Sequence, residues 1–237
     1  MRSIPLYWFA MQRYAEDFPP VSLALDDPDG LLAAGGDLGI ERLLKAYRAG
    51  IFPWYSEGQP ILWWSPDPRC VIFPGSVHVS RSLHRTLKRG HFRVSIDQDF
   101  DGVLAGCAAP RRDGAGTWLS AEMQTAYRRL FEHGHAHSVE CWCGDEMVGG
   151  LYGVAIGRLF FGESMFSRMS DASKVCLTTL AVWLQRWNYQ LLDCQVHNRH
   201  LETLGATCIA RRDFTALLDR WCDAVPAPDA WRMAAMP

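Results

Sequence analysis

The sequence contains no uninterrupted apolar run of about 18 residues, the length that a membrane-spanning helix needs. Its N-terminal stretch is interrupted by Pro5 and carries Arg13, Glu16 and Asp17, a pattern that is not typical of a secretory signal peptide. We therefore expect a cytoplasmic protein without a membrane partner. Neither sign of charge predominates, because the chain has 24 basic and 26 acidic residues and a net charge of −2. That balance argues against nonspecific coating of nucleic acid, although it is compatible with a local basic face.

Common metal-ligand spacings and internal repeats are also missing. His133, His135 and His137 form an H-x-H-x-H string, and Cys141 and Cys143 form C-x-C, which are not the spacings of common zinc sites. We therefore expect no metal and no cofactor. The eight cysteines are expected to be free thiols, because disulfides are rare in the cytoplasm.

The composition is that of a globular protein with a substantial core, since 49% of its 237 residues are hydrophobic. This length fits one large domain, or a main domain with a small annex. Ten tryptophans are many for such a chain. Some must pack in the core, and a surplus suits a protein that stacks rings on ligands or bases.

The N-terminal part of the chain is divided by turn-forming residues. Apolar residues recur at helical spacing over residues 39–49, and Gly50 follows as a C-terminal cap would. A segment rich in proline and tryptophan comes next and contains one short strand, ILWW. We place a boundary after Arg69, which predicts a small N-terminal domain at 1–69 and a main domain at 70–237.

From Cys70 onward, helix signals alternate with strand signals. Ser120 stands where a helix N-cap is expected, and Gly157 separates two strand candidates that should form a hairpin. Hairpins packed against helices indicate an α+β fold rather than a doubly wound parallel sheet. The predicted helices are 80–89, 100–108, 120–133, 173–187 and 213–221, and the predicted strands are 70–73, 92–96, 136–143, 146–156, 158–163 and 189–195.

One predicted helix is strongly basic on one face. Its cations recur at spacings of three and four, and no acid lies between Ser80 and Arg93. The face is either simply solvated or it binds phosphates. The four cations are Arg81, Arg85, Lys88 and Arg89.

A second constellation combines glycine with aromatic residues over 149–167. Glycines inside a strand often mark a bulge or a close approach of the backbone to a ligand. The apolar side chains beside Glu163 suit a pocket for an apolar group, and ordinary core packing is the alternative. These side chains are Phe160, Phe161, Met165 and Phe166.

A third constellation, LLDCQ, ends a strand candidate. A carboxylate after an apolar run is costly to bury unless it is paired. If the alternation of the strand holds, Asp193 and Gln195 point to the same face. A strand end that reaches solvent is the alternative interpretation.

Residues 111–116 match the R-x-x-G-x-G string with which acetyltransferases hold coenzyme A. That use requires a strand before the loop and a helix directly after it, whose backbone N–H groups bind the anion. Here Pro110 precedes the string and three residues separate it from the next predicted helix. We therefore interpret it as a loop.

Many short strings keep one order from Phe18 to Phe214: FPP, GLLAAGGDL, AYRAGIFPWY, ILWWSPDPR, HVSRSL, TWL, AHSVE, VGGLYGV, FFGESMFS, DASK, DCQ and LGA. With them the sequence resembles the leucyl/phenylalanyl-tRNA–protein transferases. The resemblance implies a small N-terminal domain joined to a catalytic domain of the acetyltransferase-like (GNAT-type) fold, with a mixed sheet flanked by helices. It also implies an aminoacyl-tRNA donor in place of coenzyme A. The segments before Phe18 and after Trp221 lie outside the match.

The resemblance further implies roles for single residues. Trp54 and Trp118 would flank the terminal adenosine of the tRNA, and the basic helix would hold the acceptor stem. Position 151 varies between Met and Leu in the family, so Leu151 bears on the preference among Leu, Phe and Met donors. The aminoacyl pocket would include Leu151, Phe160, Phe161, Gly162 and Met165, and the reaction centre would hold Glu163, Asp193 and Gln195.

The implied reaction converts an activated ester into an amide, so it needs neither ATP nor a metal. We expect the Gln195 side-chain oxygen to accept a hydrogen bond from the attacking amine. Asp193 would orient or polarise Gln195, and a proton relay through Asp193 is a further alternative. Glu163 would position the ribose or the cationic side chain of an acceptor that begins with Arg or Lys. The product would be marked for degradation, and we expect a monomer. A coenzyme A-dependent N-acetyltransferase and a noncatalytic RNA-binding module are the alternatives.

Overall fold

The computed structural model describes residues 6–9, 17–110 and 119–232. Two β-sheets and a set of helices make up this part of the chain. The helices are α1 (Ile40–Arg48), α2 (Arg81–Lys88), α3 (Phe100–Ala108), α4 (Ala121–Glu132), α5 (Ala172–Arg186), α6 (Arg199–Glu202) and α7 (Arg211–Trp221). The strands are β1 (Tyr7–Phe9), β2 (Leu31–Gly35), β3 (Phe52–Pro53), β4 (Leu62–Trp64), β5 (Arg69–Ile72), β6 (Arg93–Ile96), β7 (Ala136–Cys143), β8 (Glu146–Ile156), β9 (Leu159–Ser167), β10 (Leu191–Gln195) and β11 (Thr207–Ile209).

Helices α2, α3 and α4 begin at side chains that cap free backbone N–H groups. The Ser80 hydroxyl accepts from the Leu83 N–H at 3.2 Å, and the Ser120 hydroxyl accepts from the Met123 N–H at 3.2 Å. The Asp99 carboxylate accepts from the Gly102 N–H at 2.8 Å. Such caps satisfy backbone N–H groups in the first turn that have no partner within the helix. Because the capping residue is close in sequence, the predicted ends of these helices agree with the observed ends within about two residues.

The small sheet lies in the N-terminal part of the chain and has the order β1-β2-β4-β3. β1 pairs with β2 in parallel, and β4 pairs antiparallel with both β2 and β3. Helix α1 covers it with Leu43 and Tyr47, and both are fully buried together with Trp63 of β4. Burial of these large side chains is the main stabilising term for this sheet.

The large sheet has the order β11-β5-β10-β9-β8-β7-β6. Strands β7, β8 and β9 form consecutive antiparallel hairpins, which confirms the predicted hairpin around Gly157. In the described part of the chain, β9 and β10 are the one parallel pair of this sheet. The sheet is therefore mixed, and the parallel pair is near its centre.

Side chains alternate between the two faces of the large sheet. Phe161 enters a core that includes α1, α3, α4, α7 and the small sheet, whereas Phe160 enters a core formed chiefly with α5. The helices thus cover both faces, and the predicted α+β class with a small N-terminal unit and a mixed sheet flanked by helices is confirmed.

Several elements differ from the sequence-based expectation. β9 continues to Ser167 instead of ending at residue 163, because it stays paired with β8 as far as Gly149. Strands β2 and β11 and the short helix α6 carry no clear local pattern, and the two strands are held by pairing with β4 and β5. Long-range pairing therefore decides these strands, as is usual for short strands.

The predicted domain boundary after Arg69 stays a prediction. The small sheet ends at Trp64 and the large sheet begins at Arg69, but one hydrophobic core contains residues of both parts. The eight cysteines are free thiols. Among the described residues, no helix has the length and apolarity to cross a membrane, and no group of three or more His, Cys, Asp or Glu side chains has metal-binding geometry.

Candidate active site

A cleft opens where the two parallel strands separate. The registered pairs of β9 and β10 run from Leu159–Leu191 to Phe161–Asp193 and stop there, although both strands continue. A cavity of about 500 Å³ lies beside this point. Its volume is within the range of ligand-binding pockets, and the carboxyl ends of parallel strands are a common place for them.

Two β-bulges aim polar side chains at this cleft. On β9, Gly162 and Ser164 pair with Gly153 and Tyr152, so Glu163 is the extra residue between them. On β10, Asp193 and Gln195 pair with adjacent residues of β5, which makes Cys194 the extra residue. A bulge bends its strand and redirects side chains, and both bulges lie at the edge of the cavity.

Glu163 is the centre of a hydrogen-bond network. Its Oε1 accepts from the Gln195 Nε2 at 2.7 Å, and its Oε2 accepts from the Tyr127 hydroxyl at 2.5 Å. The Tyr127 hydroxyl is also 2.8 Å from the Tyr47 hydroxyl. Because Nε2 of Gln195 is bound to Glu163, its side-chain oxygen is left to accept a hydrogen bond in the cleft.

Partial removal from water raises the pKa of the Glu163 carboxyl to about 7. Hydrogen bonds from Tyr127 and Tyr47 oppose this rise, and the charge of Asp193 adds to it. Burial also raises the pKa values of Tyr47 and Tyr127 well above the ordinary tyrosine value, so both hydroxyls stay protonated. Glu163 can therefore change its protonation state near neutral pH.

Asp193 is directed away from this network, into the protein. It is 1% exposed and forms a bidentate ion pair with Arg69, at 2.8 Å to Oδ1 and 2.6 Å to Oδ2. The Gln195 backbone N–H donates to the same carboxylate at 2.9 Å. The predicted two-residue alternation is broken, since the bulge intervenes and Gln195 has a φ of 63°. The side chain that contacts the Gln195 amide is that of Glu163.

The cavity wall opposite the polar network is apolar. Helix α5 contributes Leu177 and Leu180, helix α6 contributes Leu201, Val196 follows β10, and the other apolar residues belong to strands of the large sheet. Gly162 keeps the floor close to β10, because a Cβ there would lie 3.3 Å from the Asp193 carbonyl oxygen. The apolar lining consists of Leu151, Phe160, Met165, Leu177, Leu180, Leu192, Val196 and Leu201.

Phe161 and Trp54, two of the candidate ligand-binding residues, lie away from the cavity wall. Phe161 is fully buried on the other face of β9, where its ring packs 5.2 Å from that of Tyr47. Trp54 is 45% exposed and is not part of the cavity wall, although its ring lies 5.8 Å from that of Trp64. Trp118 lies outside the described residues.

The basic face of α2 is open to solvent. Arg81, Arg85, Lys88 and Arg89 are all exposed. Within the described ranges, none of the four forms an ion pair with a carboxylate within 4.0 Å. Uncompensated cations on one helix face are available to bind anions.

Three residues of the site receive no functional role from the sequence. Arg69 and Tyr47 lie in the strings ILWWSPDPR and AYRAGIFPWY, which carry the family resemblance but assign no chemistry to either residue. The charge of Arg69 directly before the apolar run CVIF is a further signal, because a charge at the end of a buried strand needs a partner. Tyr127 lies in a predicted helix, and we find no signal of its role in the sequence.

The fold and the site together define an enzyme of mixed α+β architecture. Its cleft places an apolar cavity beside an amide and a titratable carboxyl group, which is typical of an active site.

Two family models match this chain. The model described as leucyl/phenylalanyl-tRNA protein transferase matches residues 71–219, and the model of the N-terminal domain of that protein matches residues 36–67. A leucyl/phenylalanyl-tRNA–protein transferase of Alkalilimnicola ehrlichii is 58% identical over 91% of this chain and 84% of the relative. Its counterpart in Aromatoleum aromaticum is 58% identical over 91% of each chain. The chain belongs to the leucyl/phenylalanyl-tRNA protein transferase family and is an aminoacyltransferase.

A solved structure is also similar in part. A GCN5-related N-acetyltransferase from Kribbella flavida matches 70% of this chain and 59% of its own, with 9% identity and a TM-score of 0.40. At that level the likeness supports no inference about substrate.

Proposed function

We propose that this protein transfers leucine, phenylalanine or methionine from aminoacyl-tRNA to the α-amino group of an acceptor protein. The acceptor begins with Arg or Lys, and the product carries a new N-terminal residue that marks it for degradation. The enzyme acts as a monomer in the cytoplasm. The observation that carries the proposal is the apolar cavity next to the hydrogen-bonded pair Glu163 and Gln195.

The cavity suits the side chain of the transferred residue. Its wall between Leu151, Phe160 and Met165 is apolar, so leucine or phenylalanine would lose contact with water there. The aminoacyl ester would then lie at the mouth of the cavity, near Glu163 and Gln195. We assign the terminal adenosine to Trp54 and Trp118, in keeping with the exposed ring of Trp54.

The reaction needs positioning more than activation. The donor is an ester, and an α-amine with a reference pKa of about 7.7–8.0 is partly neutral near pH 7.5. Well-oriented reactants can gain effective molarities of about 10⁵ M or more. We assign the Gln195 side-chain oxygen to accept a hydrogen bond from the attacking amine, because its Nε2 is occupied by Glu163.

The reaction also moves one proton. The C–N bond forms, the ester C–O bond breaks, the amine loses a proton and the ribose oxygen gains one. We propose that Glu163 carries this proton, which its pKa of about 7 supports. Its position at the mouth also suits the cationic side chain of the acceptor. No proton is assigned to Asp193, since both its oxygens accept from Arg69 or the Gln195 backbone.

The tRNA would lie across α2. Its four exposed cations form one basic face, and the acceptor stem presents phosphates at a spacing that such a face can contact.

The decisive experiment combines labelled Leu-tRNA or Phe-tRNA with two peptides, one beginning with Arg and one with Ala. We expect label on the Arg peptide alone. The Gln195→Ala variant is the control for transfer that does not use the site. A folded protein that binds tRNA irrespective of the aminoacyl group, and transfers to neither peptide, would be an RNA-binding module instead. Transfer of an acetyl group from acetyl coenzyme A to either peptide would indicate an N-acetyltransferase.

A further inference from the structure

Arg69 is a buried cation at the start of β5. Its side chain is 1% exposed, which is unusual for arginine and requires a compensating partner. It is also 124 positions away in sequence from Asp193, the carboxylate that it binds. The contact therefore joins β5 to β10, the strand that carries Gln195.

Every side of the guanidinium group is occupied. Its Nε and Nη2 bind Asp193, and its Nη1 donates to the Gly50 carbonyl oxygen at 3.1 Å. The rings of Phe52 and Phe214 lie 4.7 and 4.6 Å from its central carbon, so the group is stacked between them. Arg69 thus connects the small sheet and α7 to the active-site strand.

The Asp193 carboxylate in turn holds the backbone of Gln195. Gln195 has a φ of 63°, a left-handed conformation that is unfavourable for a residue with a side chain. The hydrogen bond from its N–H to Asp193 Oδ1 stabilises this conformation. In it, the amide reaches Glu163.

We propose that Arg69 is a positioning residue of the transfer reaction. It neutralises and fixes Asp193, and Asp193 fixes the left-handed backbone from which Gln195 contacts Glu163. Asp193 exchanges no proton with substrate. This inference rests on the proposed function. Of the roles expected for Asp193, it keeps the orienting of Gln195 and removes the proton relay.

A double variant distinguishes this role from that of a proton carrier. Asp193→Asn alone leaves Arg69 as an uncompensated buried charge, and Arg69→Met alone leaves Asp193 in the same state. Arg69→Met combined with Asp193→Asn removes both charges, keeps an oxygen that accepts from the Gln195 N–H, and keeps an unbranched side chain between the two phenylalanines. We expect the double variant to transfer at least tenfold faster than Asp193→Asn. The difference between the two variants should lie in kcat more than in KM for the tRNA.

The pH profile separates the role of the Arg69–Asp193 pair from that of a proton carrier. The part of the kcat rise that is centred near pH 7 should persist in the double variant, because Glu163 is unchanged there, and should be absent in Glu163→Gln. Arg48→Met is the matched control, because Arg48 forms an exposed ion pair with Asp223. It should transfer at the wild-type rate. A folded double variant that is no more active than Asp193→Asn would overturn the proposal.

An NMR measurement decides the proposal even if the protein transfers no amino acid. The Gln195 side-chain amide signal, assigned by its loss in Gln195→Ala, should shift with the titration of Glu163 in the wild type and in the double variant. It should lose this response in Arg69→Met. An unchanged response in folded Arg69→Met would contradict the positioning role, whereas absent transfer by the wild type would contradict only the proposed function.

Discussion

Glu163 combines two properties that single residues of a cleft seldom share. It is hydrogen-bonded to the amide of Gln195 on one side and to the buried Tyr127 hydroxyl on the other. Its carboxyl also has a pKa of about 7. A residue of this kind affects both stability and rate, and the two effects have opposite dependence on pH.

The stability effect follows from the raised pKa. Glu163 takes up its proton at about 7 in the folded protein but near 4.5 when unfolded. The folded state therefore binds more protons between these values, and Glu163 makes the protein less stable as pH rises through them. The change is at most on the order of 3 kcal/mol, and less to the extent that water reaches this half-buried carboxyl. Glu163→Gln should remove it.

Urea unfolding of wild type and Glu163→Gln at pH 5 and pH 8 measures this effect. The stability difference between the two proteins should shift in favour of Glu163→Gln at the higher pH. The same difference at both pH values would mean that the Glu163 carboxyl titrates normally.

The rate effect follows from the same titration. A protonated Glu163 cannot accept the proton that the amine releases. We expect kcat for wild type to increase with pH through about 7. In Glu163→Gln the part of this increase that is centred near 7 should be absent, so that only the titration of the acceptor amine, with a reference pKa of about 7.7–8.0, remains. Single-turnover transfer from Phe-tRNA at several pH values measures it, and an identical profile for the two proteins would assign the proton to another group.

Gln195 should matter for the rate rather than for binding. Gln195→Ala removes the oxygen that we assign to the attacking amine, and we expect kcat to fall at least tenfold, which is about 1.4 kcal/mol of barrier. Gln190→Ala is the control, since the Gln190 side chain donates to the Asn188 carbonyl oxygen and is not part of the cavity wall. Activity of Gln195→Ala within threefold of wild type would exclude the assigned role.

At the scale of elements, the β8–β9 hairpin depends on close backbone packing. A Cβ at Gly153 would overlap the Phe161 carbonyl oxygen and touch the Phe160 ring. Gly153→Ala should therefore displace β9 beside its bulge and lower stability by about 1–3 kcal/mol. At Gly75 a Cβ would meet only the flexible Gln185 side chain, at 3.3 Å. Thermal unfolding should show a clear loss for Gly153→Ala and little for Gly75→Ala, and equal losses would contradict this explanation.

Helix α2 makes a separate prediction about tRNA. Replacing Arg85 and Lys88 with Gln removes two exposed cations without disturbing the core. Affinity for tRNA should fall, and the slope of log K against log salt should decrease by about one to two, because fewer counterions are released. Replacing the exposed Arg129 and Arg220 with Gln changes the net charge equally and serves as control. An unchanged slope for the α2 variant would mean that this face is only solvated.

At the scale of the whole molecule, the N-terminal part and the large sheet share one core. Trp63 and Tyr47 belong to the same cluster as Phe161 and Phe214. The buried hydrogen bond between the hydroxyls of Tyr47 and Tyr127 also crosses between the two parts. We propose a small N-terminal domain at 1–69 and a catalytic domain at 70–237 that depend on each other for stability.

Calorimetry tests this dependence. We expect a single unfolding transition whose calorimetric and van't Hoff enthalpies agree, because the shared core prevents either part from unfolding alone. Two separated transitions would show that the domains are independent. Tyr47→Phe should lower the transition temperature without splitting it.

The sequence alone determined those features that depend on neighbours along the chain. Ser80 and Ser120 cap their helices through atoms three residues away, and the glycine between β8 and β9 turns a hairpin. Ordered motifs indicated the family, and they contained Glu163 and Gln195. Such features follow from local geometry, which short strings of residues encode.

Only the tertiary structure decided how the motif residues act. Arg69 and Asp193 meet across 124 positions, and Tyr127 reaches Glu163 across 36. The bulge of β10 then separates the roles of Asp193 and Gln195, which strict alternation would have placed on one face. Charge compensation and desolvation depend on what surrounds a group in space, so the paired state of Asp193 and the raised pKa of Glu163 arise only after the strands have assembled.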